Sequence, residues 1–248
     1  MALALITRGL GVSIGPTAPS GTDSAPTRLA TVYCTDEDIL LRAPQDFATL
    51  CPRSQVVAYG TDGVFAAGVP WTLTSATVDF SGLGVAANGV VRLSRPVSTY
   101  AQQGLLMAVN QVGTYTATLR RPGLALGVGQ PPAPTAGLTS VEFTVLTFRP
   151  QIDVASFDAN RHFGIDPNVT ERKPSDLYDV RDLQQFVVLT VLKRAYIAAE
   201  KTLQGDFKLK LADVANELSD LKASTAARWG VIGQGNPAST SFSTRARR

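Results

Sequence analysis

The spacing of apolar positions changes twice along the chain and divides it into three stretches. Residues 1–30 carry no repeating apolar stripe. Gly, Pro, Ser, Thr and Ala dominate them, centred on Gly15-Pro16-Thr17-Ala18-Pro19-Ser20-Gly21, a composition that predicts an extended N-terminal arm. Thr35 then precedes Asp36, Glu37 and Asp38, the pattern of an N-cap followed by acids where they suit the helix dipole. A short helix is expected through Ile39, Leu40, Leu41 and Arg42. Pro44 interrupts it, and residues 45–50 can make another turn or two before Pro52.

From about residue 54 to 140 β-branched residues alternate with small polar ones, and glycines punctuate them. Residues 55–59 and Val64-Phe65 flank Gly60-Thr61-Asp62-Gly63, a hairpin-type turn signal. Residues 71–80 suggest one strand or two, and residues 89–93, 105–109 and 114–119 are further strand candidates. Five or six short strands with glycine turns predict a small antiparallel barrel or sandwich over residues 55–139. A linker rich in proline and glycine, 127–137, closes this region, and residues 141–148 form a last extended or early helical piece.

The final third has the helical period. Ile152, Ala155, Ala159 and Phe163 recur at helical spacing, Pro150 suits a first turn, and Gly164 supplies a stop. After a loop at 166–174, a long helix is expected from about residue 175 or 178 to 203. Its middle, residues 186–192, is apolar nearly all round, so it must be covered on more than one side, by its own domain or by a neighbouring subunit. Gly205-Asp206 gives a turn and an N-cap. Phe207, Leu211, Val214, Leu218 and Leu221 then repeat at alternating four- and three-residue steps, which predicts an antiparallel pairing of the last two helices. Phe186, Leu189, Leu192, Phe207, Leu211 and Leu218 are thus candidates for a bundle core or an inter-subunit wall.

The chain has 248 residues and a mass of 26.2 kDa, enough for one large domain or two small ones with a real core. With 44% hydrophobic and only 17% charged residues, its surface carries less charge than a free monomer usually wants. No stretch approaches the roughly 18 apolar residues that a spanning helix needs, and no membrane partner is expected. The N-terminus lacks the basic segment of a signal peptide, which points to synthesis and residence in a cytoplasm. A net charge of +3 is too mild for a whole nucleic-acid-binding face, but its distribution is uneven. All the lysines follow residue 170, no acid follows Trp229, and the chain closes on Phe242, Arg245, Arg247 and Arg248, with Arg228 just upstream.

Little in the sequence converges on chemistry. The lone histidine, His162, sits beside Arg161 near a helix end, where a capping or surface role suits it. Cys34 and Cys51 lack CxxC spacing and read as small buried hydrophobes. Residues 82–89 have the wrong glycine spacing for a phosphate loop and lack its lysine; Asn168-Val-Thr170 is a sequon of low specificity; Asp36, Glu37 and Asp38 are explained by a helix N-terminus without a cation. The expectation is a protein that is not an enzyme and takes no cofactor or metal. A binding module is the competing class, with a β domain presenting Trp71, Tyr59 and Tyr100 to a host or carbohydrate ligand.

The order of parts, an acid-capped short helix at 33–42, a β region, a helix at 150–163 and a helical hairpin, resembles the head-to-tail adaptor, or connector, proteins of tailed bacteriophages. Thr35, Asp38 and Ile39 fit that family's T-x-x-D-[IL] opening. Ile152, Ala155, Ser156, Arg161 and Phe163 fit its I-x-x-A-S-x-x-x-x-x-R-[YF] helix loosely. The match covers residues 31–54 and about 146–227, and the closing FSTR at 242–245 is similar to tails of adaptors with a β-rich insertion. The resemblance implies an α+β fold: a helical adaptor body of residues 31–54 and 140–228, an inserted β barrel or sandwich at 55–139, an extended arm at 1–30 and a basic tail at 229–248.

It also implies a structural component of the virion neck, made in the host cytoplasm: a ring, commonly of twelve copies, whose lumen passes the packaged DNA. Its partners would be its own copies, the portal protein, and a tail terminator, stopper or tail-tube protein. Arg228, Trp229, Phe242, Arg245, Arg247 and Arg248 would dock on the portal or a neighbouring copy. Removing residues 229–248 is expected to leave a folded protein that no longer binds portal in a pull-down; undiminished binding would take the tail out of the docking surface.

Overall fold

The computed structural model describes residues 32–66, 71–95, 105–126, 128–129, 137–165, 180–202 and 207–224. The arm at 1–30, the tail with Arg228, Trp229, Phe242, Arg245, Arg247 and Arg248, Tyr100, the sequon at Asn168 and the Gly205-Asp206 turn lie outside them. Helix α1 (Asp36–Arg42) starts as its sequence predicts, with a capping box. Thr35 Oγ1 accepts from the Asp38 N–H, and the Asp38 carboxylate accepts from the Thr35 N–H at 2.7 Å. Helix α2 (Phe47–Leu50) and a single 3-10 turn (Arg53–Gln55) lead into the strands.

Six strands, β1 (Val56–Phe65), β2 (Thr72–Thr74), β3 (Val90–Arg95), β4 (Leu105–Val112), β5 (Thr116–Arg120) and β6 (Leu138–Leu146), close into an antiparallel barrel in the order β1-β2-β5-β4-β3-β6. Side chains alternate as the pleat requires. Val91 and Leu93 of β3, Met107 and Val109 of β4, Ala117 and Leu119 of β5, and Val141, Phe143 and Val145 of β6 fill the interior. Val90, Leu106 and Leu146 face outward from the same wall, into the helices.

The turn expected at residues 60–63 is not a turn. β1 runs unbroken through it, and Gly60 pairs with Phe143 while Gly63 pairs with Val141, so β1 carries one extra residue there. β6 answers with its own irregularity between Val141 and Leu138, where Ser140 adopts φ 56°. Such bulges bend and twist the β1–β6 ribbon, which helps the barrel close. The glycines serve close approach. A Cβ on Gly63 would stand 2.7 Å from the Val141 carbonyl oxygen, and one on Gly60 would stand 2.5 Å from the Phe143 ring. Asp62, between them, caps the loop after β2 by accepting from Ser75 Oγ and from the Ala76 and Thr77 N–H groups.

Helix α3 (Arg149–Phe163) follows β6 after two residues and ends on Gly164, whose left-handed backbone (φ 66°) lets its N–H reach the Asn160 carbonyl. Helix α4 (Arg181–Thr202) is buried at every position from 186 to 192, and helix α5 (Lys208–Ser224) lies antiparallel to it. Glu217 of α5 meets Gln185 near the start of α4, while Phe207 before α5 packs on Tyr196 near the end of α4.

This arrangement overturns the expected helical bundle with a small inserted barrel or sandwich; the terminal arms of that expectation lie outside the described residues. The barrel is closed, and the helices form a layer against its outer wall. The cause is in the packing: Val90 and Leu146 belong to the same apolar core as Ile39, Phe47, Ile152 and Leu189, so the helices use the barrel wall as their floor. β6 also crosses the boundary expected at residues 139 and 140, because its inward and outward alternation continues to Leu146.

Gly63→Ala is expected to destabilise the protein by about 1–3 kcal/mol, the usual cost of overpacking against groups that cannot move. Gly84→Ala, where a Cβ meets open space at φ 78°, should cost only about 1 kcal/mol of backbone strain. Urea unfolding of the two variants checks the difference.

Candidate functional site: the seam between helices and barrel

The three acids of α1 serve three different purposes. Asp38 closes the capping box. Glu37 points at the outer wall of the barrel and forms a buried, bidentate ion pair with Arg120 at the end of β5; its Oε1 also accepts from the Gly123 N–H at 2.8 Å. Arg120 continues the network to the Leu124 carbonyl at 3.0 Å and to Asn88 Oδ1 at 2.9 Å. Asn88, held at φ 62°, donates its N–H to Val109 and accepts from the Glu37 N–H through its carbonyl. Asparagine tolerates this left-handed geometry better than most residues, and its three hydrogen bonds join α1, β4 and β5. Removing one partner of such a buried pair strands the other charge, at a typical cost of about 3–5 kcal/mol.

Asp36 turns the other way. Its carboxylate accepts from the Phe148 N–H at 2.6 Å and from Thr147 Oγ1 at 2.9 Å, at the point where β6 gives way to α3. Burial pushes its carboxyl up to about 6, against the opposing pull of those hydrogen bonds and of Arg149. Cys51 Sγ lies 3.5 Å from the Thr147 carbonyl, and burial raises its thiol to about 11; Cys34 is buried and raised as well, so both thiols are poor nucleophiles.

Above Asp36 opens a cavity of about 520 Å³ between the start of α1, the loop at 84–89, the end of β6 and the first turn of α3. Thr35, Asp36, Asp38, Thr147, Arg149 and Gln184 are its polar lining, and Val57, Val85, Val145 and Ile152 its apolar lining. The loop at 84–89, dismissed as a phosphate cradle on its spacing, forms one wall. Its neighbour Asp79 is engaged by Ser81 Oγ and by the Gly82 N–H, which hold its carboxyl below the usual range. The carboxylates that face the cavity already accept hydrogen bonds from their own chain. Among the described residues no group of three His, Cys, Asp or Glu side chains is arranged to hold a metal ion, and no helix is long and apolar enough to cross a membrane.

The other predicted residues are dispersed. His162 stacks on Phe186 at 5.3 Å, and burial followed by the charge of Lys222 lowers its basicity. Trp71 is buried edge-on against Phe65, so it offers no platform; Tyr59 is exposed, with its hydroxyl on Glu142. Phe186, Leu189, Leu192 and Leu218 lie in the chain's own core, with Phe207 and Leu211 packed against it. Besides Tyr59, two sets of apolar side chains among the described residues are left outside although the apolar pattern did not single them out. Val154 and Phe157 are 52% and 62% exposed on the outer face of α3. A second set joins Leu41 of α1 to Leu124, Leu126 and Val128 on the adjacent loop after β5, which Glu37 and Arg120 hold in place.

Comparison of the chain with protein-family models finds no match, and neither the curated proteins nor the solved structures include a match. The geometry above therefore carries the functional argument.

The raised Asp36 carboxyl has a measurable consequence. The folded state holds the proton more tightly than the unfolded chain, so the contribution of Asp36 is most favourable below about pH 4 and is lost as pH rises through about 6. Asp36→Asn keeps an acceptor for the Phe148 N–H and removes the buried charge. It is expected to flatten stability between pH 4 and 7, by about 2–3 kcal/mol relative to wild type, in chemical unfolding across that range.

Proposed function

We propose that this protein is a structural component of a tailed-phage neck. It is made in the host cytoplasm and assembles into a ring of its own copies that joins the portal to the tail or the next neck protein, with packaged DNA passing through the lumen. The observation that carries this reading is the pair Val154 and Phe157, large apolar side chains left in solvent on one face of a helix whose other face is fully packed. A second exposed apolar set on a different element, at Leu41 and the loop after β5, gives one chain two unlike contact surfaces. Unlike surfaces that meet head to tail generate rings when the rotation closes. Exposed apolar side chains of this kind mark protein contacts more often than chemistry.

The positions that resemble the connector motifs support the reading as well, since Ser156 of the second motif accepts from the Tyr33 N–H at 3.5 Å and so ties the segment before α1 to α3. The Tyr33 hydroxyl donates to Asn160 Oδ1 on α3 at 2.5 Å, beside the Ile152, Ala155 and Ser156 face. A carbohydrate-binding alternative is weakened by the burial of Trp71.

Light scattering after size exclusion should give the mass of a defined ring, or of a monomer that becomes one on adding portal protein. Phe157→Asp should weaken self-association at least tenfold while leaving the melting temperature within a degree or two, because the side chain is exposed in the single chain. A monomer indifferent to portal at all concentrations overturns the proposal.

A further inference from the structure

Helix α5 is fastened differently from the rest of the helical layer. α4 is buried at every position from 186 to 192, and α3 buries Ile152, Ala155, Ser156 and Ala159. α5, although longer than α3, buries only Val214 and Leu218; Leu211 and Leu221 are partly covered. What ties it down is polar. At its first turn Lys210 Nζ lies 2.8 Å from both carboxylate oxygens of Asp46, between α1 and α2, and the Tyr196 hydroxyl donates to the same carboxylate at 2.8 Å. Further along, Glu217 accepts from Arg42 at the end of α1 and, at 3.0 Å, from Gln185 Nε2 of α4. Lys208 stands 3.8 Å from Glu200, and Lys222 lies over the Phe186 ring at 5.5 Å.

The ion pairs are partly open to solvent, with Arg42 50% and Lys210 47% exposed. Pairs of this kind are individually weak and are screened by salt. The α4 side chains beneath them, Phe186, Leu192 and Tyr196, have other neighbours as well: Phe163 of α3 packs on Phe186, and the segment between α1 and α2 meets Leu192 and Tyr196. That support remains when α5 is gone.

We infer that α5 is a clasped cover. It detaches as a unit under the control of ionic strength, while the barrel and the α3–α4 pair stay folded, and its departure uncovers apolar side chains of α4, among them Phe186, Leu192 and Tyr196. With two side chains fully buried and Leu211 and Leu221 buried only in part, α5 opens at a lower cost than α4, and screening of the clasps lowers that cost further; a detached helix of this length is marginal in water, so it loses its backbone protection on leaving. The inference does not depend on ring formation. In an assembling protein, the cover would keep an apolar face out of solvent until a change in ionic environment releases it.

Hydrogen exchange of the full chain read by mass spectrometry tests this, at low salt, at high salt, and in Asp46→Asn and Glu217→Gln. At low salt, amides in 211–224 are expected to exchange at least about tenfold faster than those in 187–200. High salt, or either substitution, should speed the α5 amides a further 3- to 10-fold, the effect of losing one or two exposed ion pairs, and leave the α4 and barrel amides unchanged. Exchange of α5 in step with α4, at a rate that salt does not alter, overturns the inference. The wild-type salt comparison decides the question even where a substituted chain fails to fold.

Discussion

A buried charge pair has to be satisfied in full, and the Glu37–Arg120 pair imposes that demand on the surroundings of α1. Glu37 comes from the helix and Arg120 from the barrel, so the pair can form only when the helical layer sits on the barrel in one orientation. The pair's further partners are the Gly123 N–H, the Leu124 carbonyl and Asn88 Oδ1, and Asn88 in turn donates its N–H to the Val109 carbonyl of β4. One network thus sets the position of α1, the left-handed backbone at Asn88 and the course of the loop after β5. Apolar packing alone would tolerate small rotations of a helix over a sheet wall; a bidentate pair with four further hydrogen bonds tolerates far less.

The barrel makes this possible by having two useful surfaces. Its interior is filled by large side chains such as Phe65, Phe143 and Met107, so it is a packed core and not a pore. Its outer wall at β3, β4 and β6 supplies Val90, Leu106 and Leu146 to the helical core. Bulges in the β1–β6 seam bend the ribbon, and the short link after β6 delivers α3 directly onto that wall. Asp36 ties the same junction from the helical side, at the expense of a carboxylate held out of water.

These constraints also shape what the molecule can do. The acids of α1 are each committed to structure, and the cavity beside them is walled by groups already bonded to their own chain. What the fold leaves unspent is surface: apolar side chains on α3 and on the loop after β5, and a helix held largely by exposed ion pairs. Both fit the proposal of a protein completed by contacts with other molecules.

Much of the local structure was legible in the residues. The capping box at Thr35 and Asp38, the Gly164 stop, the apolar stripe of α3, the all-round apolar run of α4 and the antiparallel partner α5 follow from helix periodicity and cap chemistry, which depend on neighbours within a few positions. Alternation likewise marked most strands. It could not show that Gly60 and Gly63 sit inside a strand, because the requirement for a missing side chain comes from Phe143 and Val141, some eighty residues away. Nor could it separate Glu37 from Asp36 and Asp38: three consecutive acids look alike until tertiary contacts give one an arginine, one a buried backbone N–H and one its own helix cap. Closure of the barrel, the sharing of one core between barrel wall and helices, and the choice of which apolar residues stay outside were decided by long-range packing alone. A stripe records that a face is to be buried and carries no information about what buries it.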